Sequence, residues 1–225
     1  MVSVIIPAYN SKAYIDECLE SIKSNIPFEV IIGIDGDKEL YNYCIPYEEF
    51  GIKVYYFTDN VGPFVIKNTL IDMAIYENIL FFDSDDIMVD GTIAQFYDKI
   101  QNSDYVKLNY VNFNKDRKSI KQGHIHNDAV IGIKKSIFNK INGFYPWKCG
   151  ADTELSYRLD NNGYKMGIMD GISYYRRLHE SNLTIKEDTK HGSAIRNKYV
   201  DIINSNLRLK YWPNPQDKVK GNYII

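Results

Sequence analysis

Over the first hundred residues, short apolar blocks alternate with amphipathic stretches. "VSVIIPAY" (2–9), "FEVIIGID" (28–35), "KVYYFTD" (53–59) and "NILFFD" (78–83) read as four strands. Between the first two, "SKAYIDECLESIKSN" puts Tyr14, Ile15, Cys18, Leu19 and Ile22 on one helical face, with Ser11 as the N-cap. "PFVIKNTLIDMAI" predicts a helix with Pro63 in its first turn, where a missing N–H costs little. "GTIAQFYDKI" predicts another. The βαβα order predicts an α/β fold with a mainly parallel, doubly wound sheet flanked by helices. Ligands bind such sheets beyond the carboxyl ends of the strands.

After residue 100 the pattern loosens. "DYVKLNYVNFN" alternates like a strand, and "NKDRKSIKQGHIHND" is a polar, basic loop or hairpin. "AVIGIKKSIFNKINGF" reads as a strand leading into a short helix. "ADTELSYRLDNNGYKM" reads as a helix with Asp152 near its start and Gly163 past its end. "MGIMDGISYYRRLHE" returns to strand, and residues 185–205 are expected to form a terminal helix. With no Gly/Ser-rich linker and no repeat, a single domain is expected.

Charge changes the picture more than composition does. The net charge of −2 hides 6 Lys and no Arg against 17 acidic residues in 1–100, and 21 basic against 12 acidic in 101–225. Two halves facing different partners would explain the split, and so would charge complementarity within one domain. No apolar run approaches the roughly 20 residues that span a bilayer. "MVSVIIPAYN" lacks the features of a signal peptide. Cys18, Cys44 and Cys149 are too few and too irregular for a disulfide framework or zinc knuckle. A cytoplasmic location is the expectation.

The candidate chemistry gathers at the ends of the strands: Tyr9 and Asn10, Asp35, Asp59 and Asn60, and "DSDD" at 83–86. Carboxylates this crowded disfavour one another's charged form. A divalent cation at Asp83 and Asp85 would relieve them, since hard cations take one or two carboxylates plus substrate phosphates.

These motifs, in this order and spacing, resemble the GT-A glycosyltransferases of family 2, from residue 2 to about 184. "SVIIPAYN" is similar to the family's first strand and P-x-Y-N turn, which implies that Pro7, Ala8 and Tyr9 border the nucleotide base. "FEVIIGIDGD" resembles the second strand, with Ile34 in place of the first of two aspartates and Asp35 matching the one that accepts a hydrogen bond from uracil. "DNVGPFVIKN" resembles N-x-G-x-x-x-A-R-N, with Asn60, Gly62 and Asn68 kept and Lys67 in place of arginine. "FFDSDD" is similar to the D-x-D motif. The resemblance makes Asp85 the ligand of Mn2+ or Mg2+ and Asp83 a contact to ribose or to metal-bound water, with Ser84 between them. Asp86 would be solvated or a helix cap. "NGFYPWKCGADTELSYRL" resembles the segment ending in the catalytic E-D motif, with Ala151 in place of glutamate and Asp152 on the general base. Glu154 is the fallback. "YYRRLHESNLT" resembles R-x-H-x-x-S, which implies that Arg177 grips the diphosphate and His179 joins the metal. Asn182 and Thr184 follow as polar residues.

The resemblance therefore implies an inverting transferase with a UDP-sugar donor. Residues 1–100 would form the donor half, and 101–225 the acceptor half with a C-terminal helical tail. Trp147 is either a wall of the sugar pocket or a core residue, and His124 and His126 contact solvent or acceptor. A glycan is the expected acceptor, because a basic second half suits an acidic surface or capsular polysaccharide. DNA with hydroxymethylated bases is the alternative, with Tyr145 or Trp147 to receive a flipped base. A non-catalytic sugar- or nucleotide-binding module would have lost the metal or base carboxylate, and a nucleotidyltransferase would carry a Gly-rich basic loop where this chain has "PAYNSKA". The transferred sugar and the oligomeric state stay open.

Overall fold

The computed structural model describes residues 1–114, 119–121 and 132–224. Its first hundred residues alternate as the apolar pattern requires. β1 (Val2–Ala8), β2 (Phe28–Asp35), β3 (Lys53–Phe57) and β4 (Asn78–Phe81) are all parallel neighbours, in the order β4-β1-β2-β3. Successive side chains of β1 face opposite ways. Val4 and Ile6 pack toward α1 (Ile15–Ser21), α2 (Lys38–Cys44) and the helix over 92–101, while Ile5 packs toward α3 (Pro63–Leu70). Both faces are covered, which is why these strands are apolar throughout.

The helices depart from expectation at their ends. Ser11 does not cap α1. Its carbonyl accepts from Tyr14 N (2.8 Å) and Ile15 N (2.9 Å), and the tight turn so formed delays the helix to Ile15. α3 stops at Leu70, and the expected continuation to Ile75 tightens into three-residue turns.

Beyond β4 come β5 (Ile87–Met88) and α4 (Thr92–Gln101). The stretch 104–114 is two strands: β6 (Tyr105–Lys107) joins the main sheet and β7 (Tyr110–Phe113) leaves it. The stretch 166–180 divides in the same way, into β10 (Met166–Ile168) and β11 (Tyr174–Arg177). Asn109 sits at the break. Its buried side chain donates to Met169 O and Gly171 O, and its carbonyl accepts from Ser173 N, so both chains change sheet together. β5, β11, β7 and β8 (Ser119–Lys121) form a smaller sheet in that order. β9 (Gly132–Lys134) runs antiparallel between β4 and β6.

α5 (Lys135–Lys140) and α6 (Ala151–Asn161) cover the α3 face. Between them Gly143 is placed by its backbone, with φ of +64° and no room for a Cβ, which would lie 2.4 Å from Asn68 Oδ1. We expect Gly143→Ala to lower stability by about 2 kcal/mol or more, from left-handed strain plus the clash. An unchanged urea midpoint would contradict this.

The terminal helix α7 begins at Ala194 rather than 185, with Ser193 Oγ accepting from Arg196 N. The tail is extended, not helical. Trp212 is fully buried, Lys218 and Lys220 pair with Asp72, and β12 (Tyr223–Ile224) adds antiparallel to β3. Burial pushes the Asp72 carboxyl up, but the two ammoniums outweigh it and hold it below its usual range. Among the described residues the main sheet thus reads β10-β6-β9-β4-β1-β2-β3-β12. No described helix is long and apolar enough to cross a membrane.

Candidate active site

The parallel strands β1 to β4 deliver Tyr9, Asp35, the Asp59–Gly62 loop and the Asp83–Asp86 turn to one edge of the sheet. Each carboxylate in that turn has its own relief from crowding. Asp83 is exposed and accepts from Lys67 Nζ at 3.2 Å. Lys67 rises from the buried face of α3, its ammonium over the rings of Phe64 and Phe81. Asp85 Oδ2 lies 2.7 Å from His179 Nε2 and accepts from Asn182 Nδ2 at 3.1 Å. Asn182 Oδ1 in turn accepts from His179 N at 2.7 Å, closing a triangle.

Asp86 is neither solvated nor a helix cap. It is 4% exposed and accepts from Arg177 N at 2.9 Å. Burial, then the charges of Asp85 and Asp83, push its carboxyl well above the usual range. The Arg177 N–H and the charge of Arg176 draw it back in part.

Asp152 is the second residue of α6, and its Oδ1 accepts from Thr153 N at 2.9 Å. Burial raises its carboxyl. Lys67 and the Thr153 N–H draw it back, and Asp83 adds to the rise. Lys67 thus faces two carboxylates, Asp83 from the first hundred residues and Asp152 from α6. Glu154, also in the first turn of α6, is fully buried and held by Arg158, with Nε to Oε1 at 2.7 Å and Nη2 to Oε2 at 3.1 Å. It is not placed to receive a proton from an acceptor.

Three other expectations change. Pro7 and Ala8 are buried in β1, so of that turn only Tyr9, 55% exposed, and Asn10 face outward. Ser84 is buried as well. Arg177 is not free to grip a diphosphate. Its Nε donates to Asp85 O, its Nη2 pairs with Glu17, and the guanidinium lies over Tyr14 and Phe113 at 5.0 and 4.5 Å. It braces the Asp85 turn against α1 and β7.

Asp35 clamps the Asn60–Gly62 loop, taking Val61 N at 2.7 Å on one oxygen and Gly62 N at 3.0 Å on the other. Burial raises its carboxyl and these two bonds lower it. Asn60 Nδ2 donates to Asp35 O. Asn68 is a bracket: it exchanges hydrogen bonds with Phe144 and donates to Val219 O, tying α3 to the approach to α6 and to the tail. Trp147 stacks on Tyr199 (4.5 Å, 5°) and Tyr145 (5.3 Å). His124 and His126 lie outside the described residues. The contribution of Asn182 is visible only in the folded turn 179–182.

Among the described residues, no three His, Cys, Asp or Glu side chains converge as a ready-made metal cage. Asp85 and His179 alone come together as a mixed oxygen and imidazole pair. Such a pair fits a divalent cation that takes its remaining ligands from a substrate's phosphates.

A sequence model described as Glycosyl transferase family 2 matches residues 3–201. The chain belongs to this family. It is 28% identical over 150 residues to a poly(ribitol-phosphate) beta-glucosyltransferase of Bacillus spizizenii, which covers 63% of this chain and 22% of that protein. It is 33% identical over 92 residues to the putative teichuronic acid biosynthesis glycosyltransferase TuaG of Bacillus subtilis, covering 38% of this chain and 36% of that one. The chain therefore spans well under half the length of these relatives. The crystal structure of S. aureus TarS 1–349 in complex with UDP superposes with a TM-score of 0.66 at 22% identity, over 80% of this chain and 61% of that one. This family 2 glycosyltransferase has the GT-A fold, with a mostly parallel central sheet flanked by helices.

Proposed function

We propose that the chain transfers a sugar from a UDP-sugar to a hydroxyl of a glycan acceptor, with inversion at the anomeric carbon and Asp152 as general base. The observation that carries this is the meeting of Asp152 with the Lys67–Asp83 pair at the carboxyl edge of the sheet, beside Asp85 and His179. A base must lie within reach of the acceptor proton, on the face opposite the leaving diphosphate. Asp152 comes from α6, across the edge from the turn that carries Asp83 and Asp85. Its raised carboxyl holds a proton more firmly than an ordinary aspartate, which favours full transfer during attack.

The other residues hold the donor. Tyr9 supplies an exposed ring for the base. Asp35 fixes the Val61–Gly62 loop, and each of its oxygens keeps a second lone pair, so the same residue can accept the uracil N3–H. Asp83 is exposed for a ribose hydroxyl, and Lys67 offers a point charge to a phosphate. Asp85 and His179 would hold Mn2+ or Mg2+. When bound, such an ion stabilises charge developing on the departing diphosphate. The similarity to a poly(ribitol-phosphate) beta-glucosyltransferase and to a putative teichuronic acid biosynthesis glycosyltransferase supports a cell-surface glycan as acceptor.

The test is release of nucleoside diphosphate from a panel of UDP- and GDP-sugars, with and without chelator. We expect turnover with a UDP-sugar, its loss in chelator and its return with Mn2+ or Mg2+. Asp85→Asn should lose at least about 100-fold, as removal of an electrostatic stabiliser does. Full turnover in chelator would remove the metal from this reading, and a preference for GDP-sugars would remove the uracil contact.

A further inference from the structure

Most cationic side chains of the second half that are bound within the fold meet a carboxylate. Arg158 pairs with Glu154, Arg177 with Glu17, and Lys218 and Lys220 with Asp72. Among the described residues Arg176 and Arg196 form no such ion pair, although the charge of Arg176 is felt by the buried Asp86 carboxyl. Arg176 donates to Thr184 Oγ1 at 2.8 Å and to Asn112 Oδ1 at 3.5 Å, with its guanidinium over Tyr110. Arg196 donates to Thr189 O at 2.6 Å and Leu183 O at 3.0 Å. All four acceptors are neutral.

The two guanidiniums grip consecutive residues, Leu183 and Thr184, so they stand side by side on one loop. The residue before these, Asn182, is the one that donates to Asp85. Consecutive Cα atoms are about 3.8 Å apart, so the pair lies close to the candidate transfer centre. Arg196 also reaches the base helix. Its Nη1 is 4.0 Å from where a Cβ on Gly150 would be, two residues before Asp152. His191 is exposed on the same segment, and burial, then Arg196 and Arg176, hold its imidazole below the usual range, as two guanidiniums close to it should. Thr189, beside Arg196, is buried with its hydroxyl unpartnered.

Half-buried guanidiniums whose hydrogen bonds go to neutral acceptors keep charge to offer an incoming anion. Their planar fork matches phosphate oxygens bidentately. We propose that Arg176, Arg196 and His191 form a phosphate subsite beside the transfer centre, and that it receives a phosphate group of the acceptor, a phosphate-bearing glycan or polyol. The acceptor assignment rests on the reading of Asp152 and Asp85 as the transfer centre. A nucleic acid fits less well, because it needs a track of cations along its backbone and this charge is gathered at one point.

The test separates the donor's phosphates from the acceptor's. The full chain is saturated with UDP and then titrated with inorganic phosphate, followed by NMR. We expect phosphate to bind the UDP-loaded protein. Arg176→Gln and Arg196→Gln should each weaken it by about tenfold or more, as loss of a charged hydrogen bond does. His191→Ala, at an exposed position where folding is not at stake, should weaken it by a smaller factor. UDP affinity should not change in any of the three. With glycerol phosphate as acceptor, the same variants should raise KM and leave hydrolysis of the donor by water unchanged. Phosphate that binds only without UDP would assign the cluster to the donor and overturn the proposal, and so would unaltered binding in all three variants. Displacement of phosphate by oligonucleotide but not by glycerol phosphate would overturn the acceptor class. If UDP itself fails to bind, the donor reading falls, and titration of the free protein with the same variants still decides the subsite.

Discussion

We expect Asp152→Asn to lower transfer by about 100-fold or more in kcat, with UDP affinity and fold kept. The size follows from the role, since an amide cannot take the acceptor's proton. Retention of the fold follows from the sign of the carboxyl's shift. Burial raises it, so the folded protein binds that proton more tightly than the unfolded chain does. An ionised Asp152 thus costs stability at neutral pH, and a neutral amide relieves that cost. The same sign sets the pH profile. The base works deprotonated, so activity is present above the folded pKa and lost as pH falls through it. This acid limb should lie above the ordinary aspartate value of about 3.9. Lys67→Met removes a group that lowers the carboxyl, so the limb should move further up. Stopped assays of UDP release across pH, with circular dichroism as the fold control, check both results. Wild-type turnover in Asp152→Asn would end the assignment.

The first hundred residues were legible because their signals are local. Apolar blocks covered on both faces, a proline at the start of α3 and polar residues at the strand ends each fix their own neighbourhood. The carboxyl-edge rule then brings Asp35, Asp83 and Asp85 together with no long-range detail. The rest of the chain was less legible for an equally physical reason. Its described strands are two to four residues long, and one apolar stretch supplies two of them to different sheets. Asn109, which divides both stretches by bonding Met169 and Gly171 across the gap, looks like any other polar residue within a strand.

Site residues divide along the same line. The proximity of Asp85 and His179 followed from motif order, but the partners of the arginines could not be counted from sequence. Arg177 is taken up by Glu17, a residue 160 positions away on α1. Charge counting credited the second half with a broad basic face, whereas Arg158, Lys218 and Lys220 work inside the fold. The tail shows how far this goes. In "DKVKG" the two lysines converge on Asp72, and the backbone at Val219 and Gly221 meets Asn68 and Thr69.

Glu154→Gln should fail in stability rather than in chemistry, losing about 3 kcal/mol or more. Arg158 is fully buried and cannot give up its proton, so it needs the charge of Glu154 beside it. Burial pushes the Glu154 carboxyl up, and Arg158 draws it back through charge and two hydrogen bonds. Arg158 also donates to Ile141 O, Gly143 O and Asn214 Oδ1, so it joins α6 to the loop that leads into it and to the tail. With a glutamine at 154 the guanidinium stays buried with its charge unmatched, which is the costly way to break such a pair. Replacing both residues by apolar ones of similar volume removes the unmatched charge and should recover part of the loss, although the carbonyls of Ile141 and Gly143 then lose their donor. A loss of 3 kcal/mol is a large part of the 5–15 that holds a domain together. Urea unfolding measures it, and the folded fraction of the Gln variant should keep wild-type turnover per molecule. The opposite result, full stability with no turnover, would move the general base from Asp152 to Glu154.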